Sequence, residues 1–137
     1  MRVPAFLVRR FYVDGSLRNT PDGFELQAHN DMSDGMLVGV RSIQIDAQDV
    51  ALDAITASRD GVDDPIRAAD ISRLAPVPIR RGERVTLRVE GWHLPPGQHH
   101  LEVEIIERDL GALQLGIDET VMEDVSDDAA AASMQAP

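Results

Sequence analysis

The sequence contains no cysteine, which excludes a disulfide framework, thiolate metal ligation and a cysteine nucleophile. Lysine is also absent, so all 13 basic residues are arginine. Schiff-base chemistry on a lysine and a Walker-type phosphate loop both need an ammonium group and are excluded with it. Aromatic residues are few: one Trp, one Tyr and three Phe. Positive charge is scarce against 24 acidic residues, and the net charge of −11 repels nucleic-acid phosphates and anionic lipid surfaces. No apolar run approaches the ~20 residues that span a bilayer. The segment from Met1 to Arg10 has too short an apolar stretch, and no small-residue cleavage site, for a signal peptide. The expectation is a cytoplasmic protein with no nucleic-acid partner and no membrane contact.

What is present suits one folded domain. The chain has 137 residues, 43% hydrophobic and 27% charged, enough to bury a core. Alternation with period two recurs. Phe24, Leu26 and Ala28 alternate with Glu25, Gln27 and His29; Val85, Leu87 and Val89 with Arg84, Thr86 and Arg88; Leu101, Val103 and Ile105 with His100, Glu102 and Glu104. This is the pattern of half-buried strands. Further strands are expected over 6–13, 36–45, 50–57 and 113–121, with Gly39 marking a bulge or a close backbone approach. A single helical turn is expected over 68–74, ended by Pro76 and Pro78. Turns are marked by Asp14-Gly15, Asp46-Ala47-Gln48-Asp49 and Pro95-Pro96-Gly97. No long helical period occurs. The pattern predicts an all-β protein: a single antiparallel β-sandwich of jelly-roll or immunoglobulin-like type over 1–121, followed by an acidic, Ala-rich tail over 122–137.

Few groups suggest chemistry. His100, Glu102 and Glu104 share one strand face, a spacing that three metal ligands could use. The plainer reading is a solvated face whose acids pair with Arg84 and Arg88. Adjacent His99 and His100 point to opposite faces, against a cupin-type site. Asp60, Asp63 and Asp64 surround Gly61 without the spacing of a calcium loop, since the twelfth position from Asp60 is Ile71. His29, Asp31 and Asp34 share one polar loop. Ser16, Ser33 and Ser42 lack a nucleophile-elbow context. Trp92 suits a core lid or an interface better than a stacking platform. The residues therefore predict no catalytic group, no metal ligand and no cofactor contact in this chain.

Three stretches, taken in order, resemble the small (β) subunit of bacterial C-glycoside deglycosidases. They are Asp14-Gly15-Ser16-Leu17-Arg18-Asn19 with Gly23-Phe24-Glu25, the apolar run from Val40 to Ile45 leading to Asp46, and the segment from Gly91 to Glu104. The resemblance implies a non-catalytic subunit of a heteromeric lyase. Its TIM-barrel catalytic alpha subunit would hold a divalent metal, manganese, and the complex would cleave 3-oxo-C-glycosides by β-elimination. The alternatives are a stand-alone carbohydrate-binding β-sandwich and a small jelly-roll metal enzyme. For the subunit reading, the expected partner-interface residues are Phe6, Phe11, Tyr12, Met32, Met36 and Trp92.

Overall fold

In the computed structural model, which describes residues 1–61 and 64–122, the alternating segments form two antiparallel sheets packed face to face. The elements are α1 (Ala5–Val8), β1 (Arg18–Asn19), β2 (Gly23–His29), β3 (Gly35–Ile45), β4 (Gln48–Asp49), β5 (Ile55–Arg59), β6 (Ile66–Arg67), β7 (Val77–Ile79), β8 (Arg84–Glu90), β9 (Gly97–Glu107) and β10 (Gly111–Val121). One sheet has the order β1-β2-β8-β5-β6; the other runs β10-β9-β3-β4, with β7 also paired to β3. The tail expected over 122–137 lies, apart from Met122, outside the described residues. Among these residues no helix is long and apolar enough to cross a membrane.

Register places the alternating residues as their period requires. Phe24 stands opposite Val89, and Val89 opposite Ile55. In the facing sheet Ile45 stands opposite Leu101, and Leu101 opposite Ile117. These two inward rows are almost fully covered: Phe24, Ile55 and Leu101 are 0% exposed. Trp92 lies edge-on to Phe24, ring centroids 6.4 Å apart, and closes this end of the core. Gly23 is required there because any Cβ would overlap the Val89 carbonyl.

Three local expectations change. Residues 5–8 form a short helix rather than a strand. The chain must cross there from β10, where the Val3 N–H donates to the Gln114 carbonyl, to β2, where the His29 N–H donates to the Phe11 carbonyl. The Pro4 carbonyl accepts from Leu7 and Val8 and makes the turn, so the route overrides β-propensity. Over 50–57 only Ile55–Arg59 is a strand, preceded by a 3-10 turn at Leu52–Ala54. The helical turn expected over 68–74 is a 3-10 turn at Ala68–Asp70. Gly39 does lie at an irregularity: the β3–β9 register shifts between Leu37 and Gly39.

The β3–β4 turn places Asp46 and Ala47 at φ values of 50° and 69°. Two successive left-handed residues form the type I′ geometry that suits the twist of a two-residue hairpin. Ala47 carries a steric cost there that glycine would not. Bonds at Asp46 hold the turn. Its carboxylate accepts from the His100 N–H at 2.9 Å, and its own N–H donates to the His100 carbonyl at 2.8 Å.

Candidate partner interface

Along the strands away from Trp92, burial falls in steps. The middle rows mix buried Ile43 and Leu26 with half-buried Leu115 and Leu87. The last inward rows, Val40–Ile105–Leu113 in one sheet and Ala28–Val85 in the other, are half-buried throughout. The apolar core thus continues to this end of the sandwich, where α1 covers it in part through buried Val8 but leaves these rows half-exposed.

Three segments surround the open end, tied together by polar contacts. Arg10, just past α1, reaches Asp31 at 3.3 Å. Asn30, itself buried, donates to the Ser33 and Ile79 carbonyls and links the 30–34 connection to the end of β7. The Arg108 N–H donates to the Met36 carbonyl, and the Glu107 carboxylate accepts the N–H groups of Met36, Asp109 and Leu110. Burial alone would raise the Glu107 pKa, but these three donors outweigh it and hold it below its ordinary value. The sequence pattern makes these contacts possible: short polar loops supply carboxylates that satisfy backbone N–H groups at strand ends.

On this frame stand large exposed apolar side chains: Phe6 at 66%, Met32 at 45% and Leu110 at 65%. Phe11 and Met36 are half-buried beside them. Four of the six expected interface residues, Phe6, Phe11, Met32 and Met36, therefore come together at one end. Tyr12 does not join them. It is buried, with its hydroxyl donating to Glu119, and burial followed by that bond raises its pKa. Trp92 sits at the opposite, closed end, half-buried and packed edge-on against Phe24. Leu110 was missed; its sequence signal is an apolar side chain in the otherwise polar turn Arg108-Asp109-Leu110-Gly111.

The histidine–carboxylate region is organised differently from the expectation. Arg84 and Arg88 do not pair with Glu102 and Glu104, because β8 and β9 belong to different sheets. Arg2 pairs with Glu102 and Arg41 with Glu104 instead. Arg2 reaches Glu102 across Gly116, where any Cβ would collide with the guanidinium group. His100 donates to Asp118 at 2.7 Å through Nδ1 and to Glu102 through Nε2; Asp118 first, then Glu102, raises its pKa. Glu102 is held low, chiefly by Arg2.

His99 points inward, as its adjacency to His100 requires. Its Nε2–H donates to the Pro95 carbonyl at 2.7 Å and its Nδ1–H to Asp46 at 2.6 Å. Both ring nitrogens face acceptors, so the geometry calls for an imidazolium. Burial pulls the His99 pKa down, while Pro95 and Asp46 pull it up by more, and the balance is a raised value. The rings of His99 and His100 thus each bridge two acceptors. No set of three histidine or carboxylate side chains among the described residues could hold a metal ion.

The remaining candidates are local staples. Asp34 accepts the Arg81 N–H, Ser16 Oγ accepts the Gln27 N–H, and the His29 N–H meets the Phe11 carbonyl. Asp60 donates its N–H to the Arg84 carbonyl, and Asp63 lies outside the described residues.

Comparison with known proteins corrects the resemblance drawn from the sequence. A family model described as hydroxymethylglutaryl-CoA reductase, N-terminal domain, matches residues 7–122, nearly the whole described sandwich. No curated protein matches the chain. The deglycosidase β-subunit assignment is overturned by that family match: its three stretches are turn and strand signals that any sandwich of this layout can carry. The barrel subunit, its manganese and the 3-oxo-C-glycoside came only with that assignment and lose their support. The chain belongs to the hydroxymethylglutaryl-CoA reductase N-terminal domain family.

Proposed function

We propose that this chain is a non-catalytic β-sandwich module that acts by docking its open end onto a larger catalytic partner. The observation that carries this reading is the stepwise loss of burial toward that end, topped by exposed Phe6, Met32 and Leu110. Large apolar side chains exposed at the same end of a domain are a feature of interaction sites. Charge indicates what the partner presents. The acids at this end are engaged: Asp31 with Arg10, Asp109 with Arg108, and Asp34, Glu83 and Glu107 with backbone N–H groups. Arg9, Arg80 and Arg81 are exposed and make no salt bridge among the described residues. The complementary surface is apolar at its centre with carboxylates around it.

The family description adds the kind of partner. An N-terminal domain of a reductase is adjunct to a catalytic unit, so the first partner to test is the catalytic unit of a hydroxymethylglutaryl-CoA reductase from the same source. A stable pairing should bury on the order of 2,000 Å². Gel filtration with light scattering on the mixed proteins should show co-elution. Phe6→Glu combined with Met32→Glu should abolish it, and Trp92→Phe at the closed end should leave it intact. Co-elution that survives the double substitution, or no complex at micromolar concentrations, would overturn the reading.

A further inference from the structure

The outward face of the β1-β2-β8-β5-β6 sheet carries an arrangement unlike the rest of this acidic chain. Register places Arg18 opposite Glu25, Glu25 opposite Arg88, Arg88 opposite Thr56 and Thr56 opposite Arg67. Directly opposed residues share a face, so one row crossing all five strands holds three arginines and one glutamate. The glutamate side chain is only 5% exposed, whereas those of Arg18 and Arg88 are 70% and 61% exposed. Glu25 takes the Nε edge of both: Arg18 donates through Nε at 2.9 Å with its Nη2 at 2.8 Å from the same oxygen, and Arg88 donates through Nε at 3.3 Å. A buried carboxylate thereby fixes two guanidinium groups and leaves their outer N–H groups directed away from it. Arg67 has no carboxylate partner among the described residues.

Arg18, Glu25, Arg88 and Thr56, with Ser58 one row further along, line a groove of about 1030 Å³. Asp22 and Glu90 also line it, Glu90 in the row next to Arg88, so the positive character is confined to the outer edges of the two guanidinium groups in the central row. Guanidinium groups held in place by a second bond bind oxyanions with little ordering cost, because their rotamers are already set.

We propose that this groove binds a small-molecule oxyanion, a carboxylate or phosphate group, gripped by the outer edges of Arg18 and Arg88 with the hydroxyls of Thr56 and Ser58 beside it, while Arg67, next to Thr56 in the row but outside the groove lining, adds attraction at longer range. The site lies at the opposite end from the docking surface, so its success or failure is independent of that reading.

The test is a titration of the full-length protein with inorganic phosphate and, separately, succinate, following backbone amide and arginine Nε–H signals by NMR at constant ionic strength. The expected result is saturable shifts at Arg18, Arg88 and Thr56, weakened measurably but less than tenfold by Arg67→Gln, which removes charge beside the groove rather than a contact within it. That substitution breaks no salt bridge within the described residues, so folding is not at stake. Arg88→Lys, which keeps the charge but loses the planar fork, should weaken binding further. The acidic side chains of Glu123, Asp124, Asp127 and Asp128 are a second source of the same oxyanion chemistry. Their conversion to amides in the full chain should leave added oxyanion binding unchanged or tighter. Shifts that stay linear, that sodium chloride reproduces, or that are missing in both the native and amide chains would overturn the proposal.

Discussion

The two ends of the sandwich are built from the same strands yet differ in how far they are closed. At the Trp92 end, Phe24, Val89 and Ile55 face Ile45, Leu101 and Ile117, none more than 7% exposed. At the other end Ala28 and Val85 face Val40, Ile105 and Leu113, all half-buried. Side-chain hydrophobicity does not explain the contrast, since both ends are Val-, Ile- and Leu-rich. Closure does: Trp92 and the connection over 91–96 cap one end, whereas the other is covered only in part, by Val8 and Leu7 of α1, and is otherwise ringed by short polar loops. Inward direction and burial are thus separate properties, the first set by strand periodicity and the second by what lies over the end of the sheets.

The sharpest way to probe this contrast is a pair of truncations. Leu101→Ala, at the closed end, should cost ~2–5 kcal/mol, the range for a fully buried leucine that leaves a cavity. Ile105→Ala, two residues along the same strand and also inward, should cost less than about half as much, because its side chain already meets solvent. Chemical denaturation of both variants checks this, and equal losses would mean the open end is as tightly packed as the other.

Gly23→Ala should follow in size, at about 1–3 kcal/mol, because the added methyl forces β2 away from the Val89 carbonyl. The same exchange at Gly15, where a Cβ would meet nothing within 4 Å but φ is +79°, should cost only about 1 kcal/mol of backbone strain. A reversed order would show that strand contact at the closed end is looser than described.

A smaller effect depends on pH. The folded-state pKa of His99 lies above the ordinary 6.5, so its contribution is fully present below about 6.5 and is lost as pH rises through the folded value. Asp46 is held below 3.8, first by the His100 N–H and then by His99, so its contribution is present above 3.8 and is lost as pH falls through its folded value. Melting temperature should therefore form a plateau between these limits and decline on the alkaline side. His99→Gln should flatten that alkaline decline. His100→Asn should remove only the part owed to the exposed His100 ring, whose pKa is also raised. A decline unchanged by His99→Gln would exclude the buried imidazolium.

The least effect on stability is expected at the docking surface. Phe6→Ser or Met32→Ser should change the unfolding free energy by no more than about 0.5 kcal/mol, as for other exposed positions, while weakening partner binding. A large loss of stability would mean that these side chains serve the fold rather than an interface.

Much of the sandwich was legible because a strand advertises its inner face every second residue. Phe24, Leu26, Val89, Leu101 and Val103 are buried as their alternation predicts, and Val85, Leu87 and Ile105 point inward though only half-covered. Phe6, Phe11, Met32 and Met36, chosen from the sequence as apolar residues of the N-terminal segment and of the loop before β3, lie toward one end of the sandwich. Tyr12 carried the same signal, but its hydroxyl found Glu119, 107 positions away in the chain, and it went inside. No local pattern encodes such a partner. The three-stretch resemblance failed for a related reason: turns and alternating runs report local geometry, which unrelated sandwiches share.

The chain by itself determined the strands, their inward faces and the hairpin turns, because these depend on backbone preferences and hydrophobic period within a few residues. Tertiary structure alone decided which sheet each strand joins, and with it every long-range ion pair. Arg88 stands beside Glu25 rather than Glu104 because β8 pairs with β2 and not with β9. It likewise decided that residues 5–8 coil into a helix, since the route from one sheet to the other outweighs the β-preference of the residues that make it.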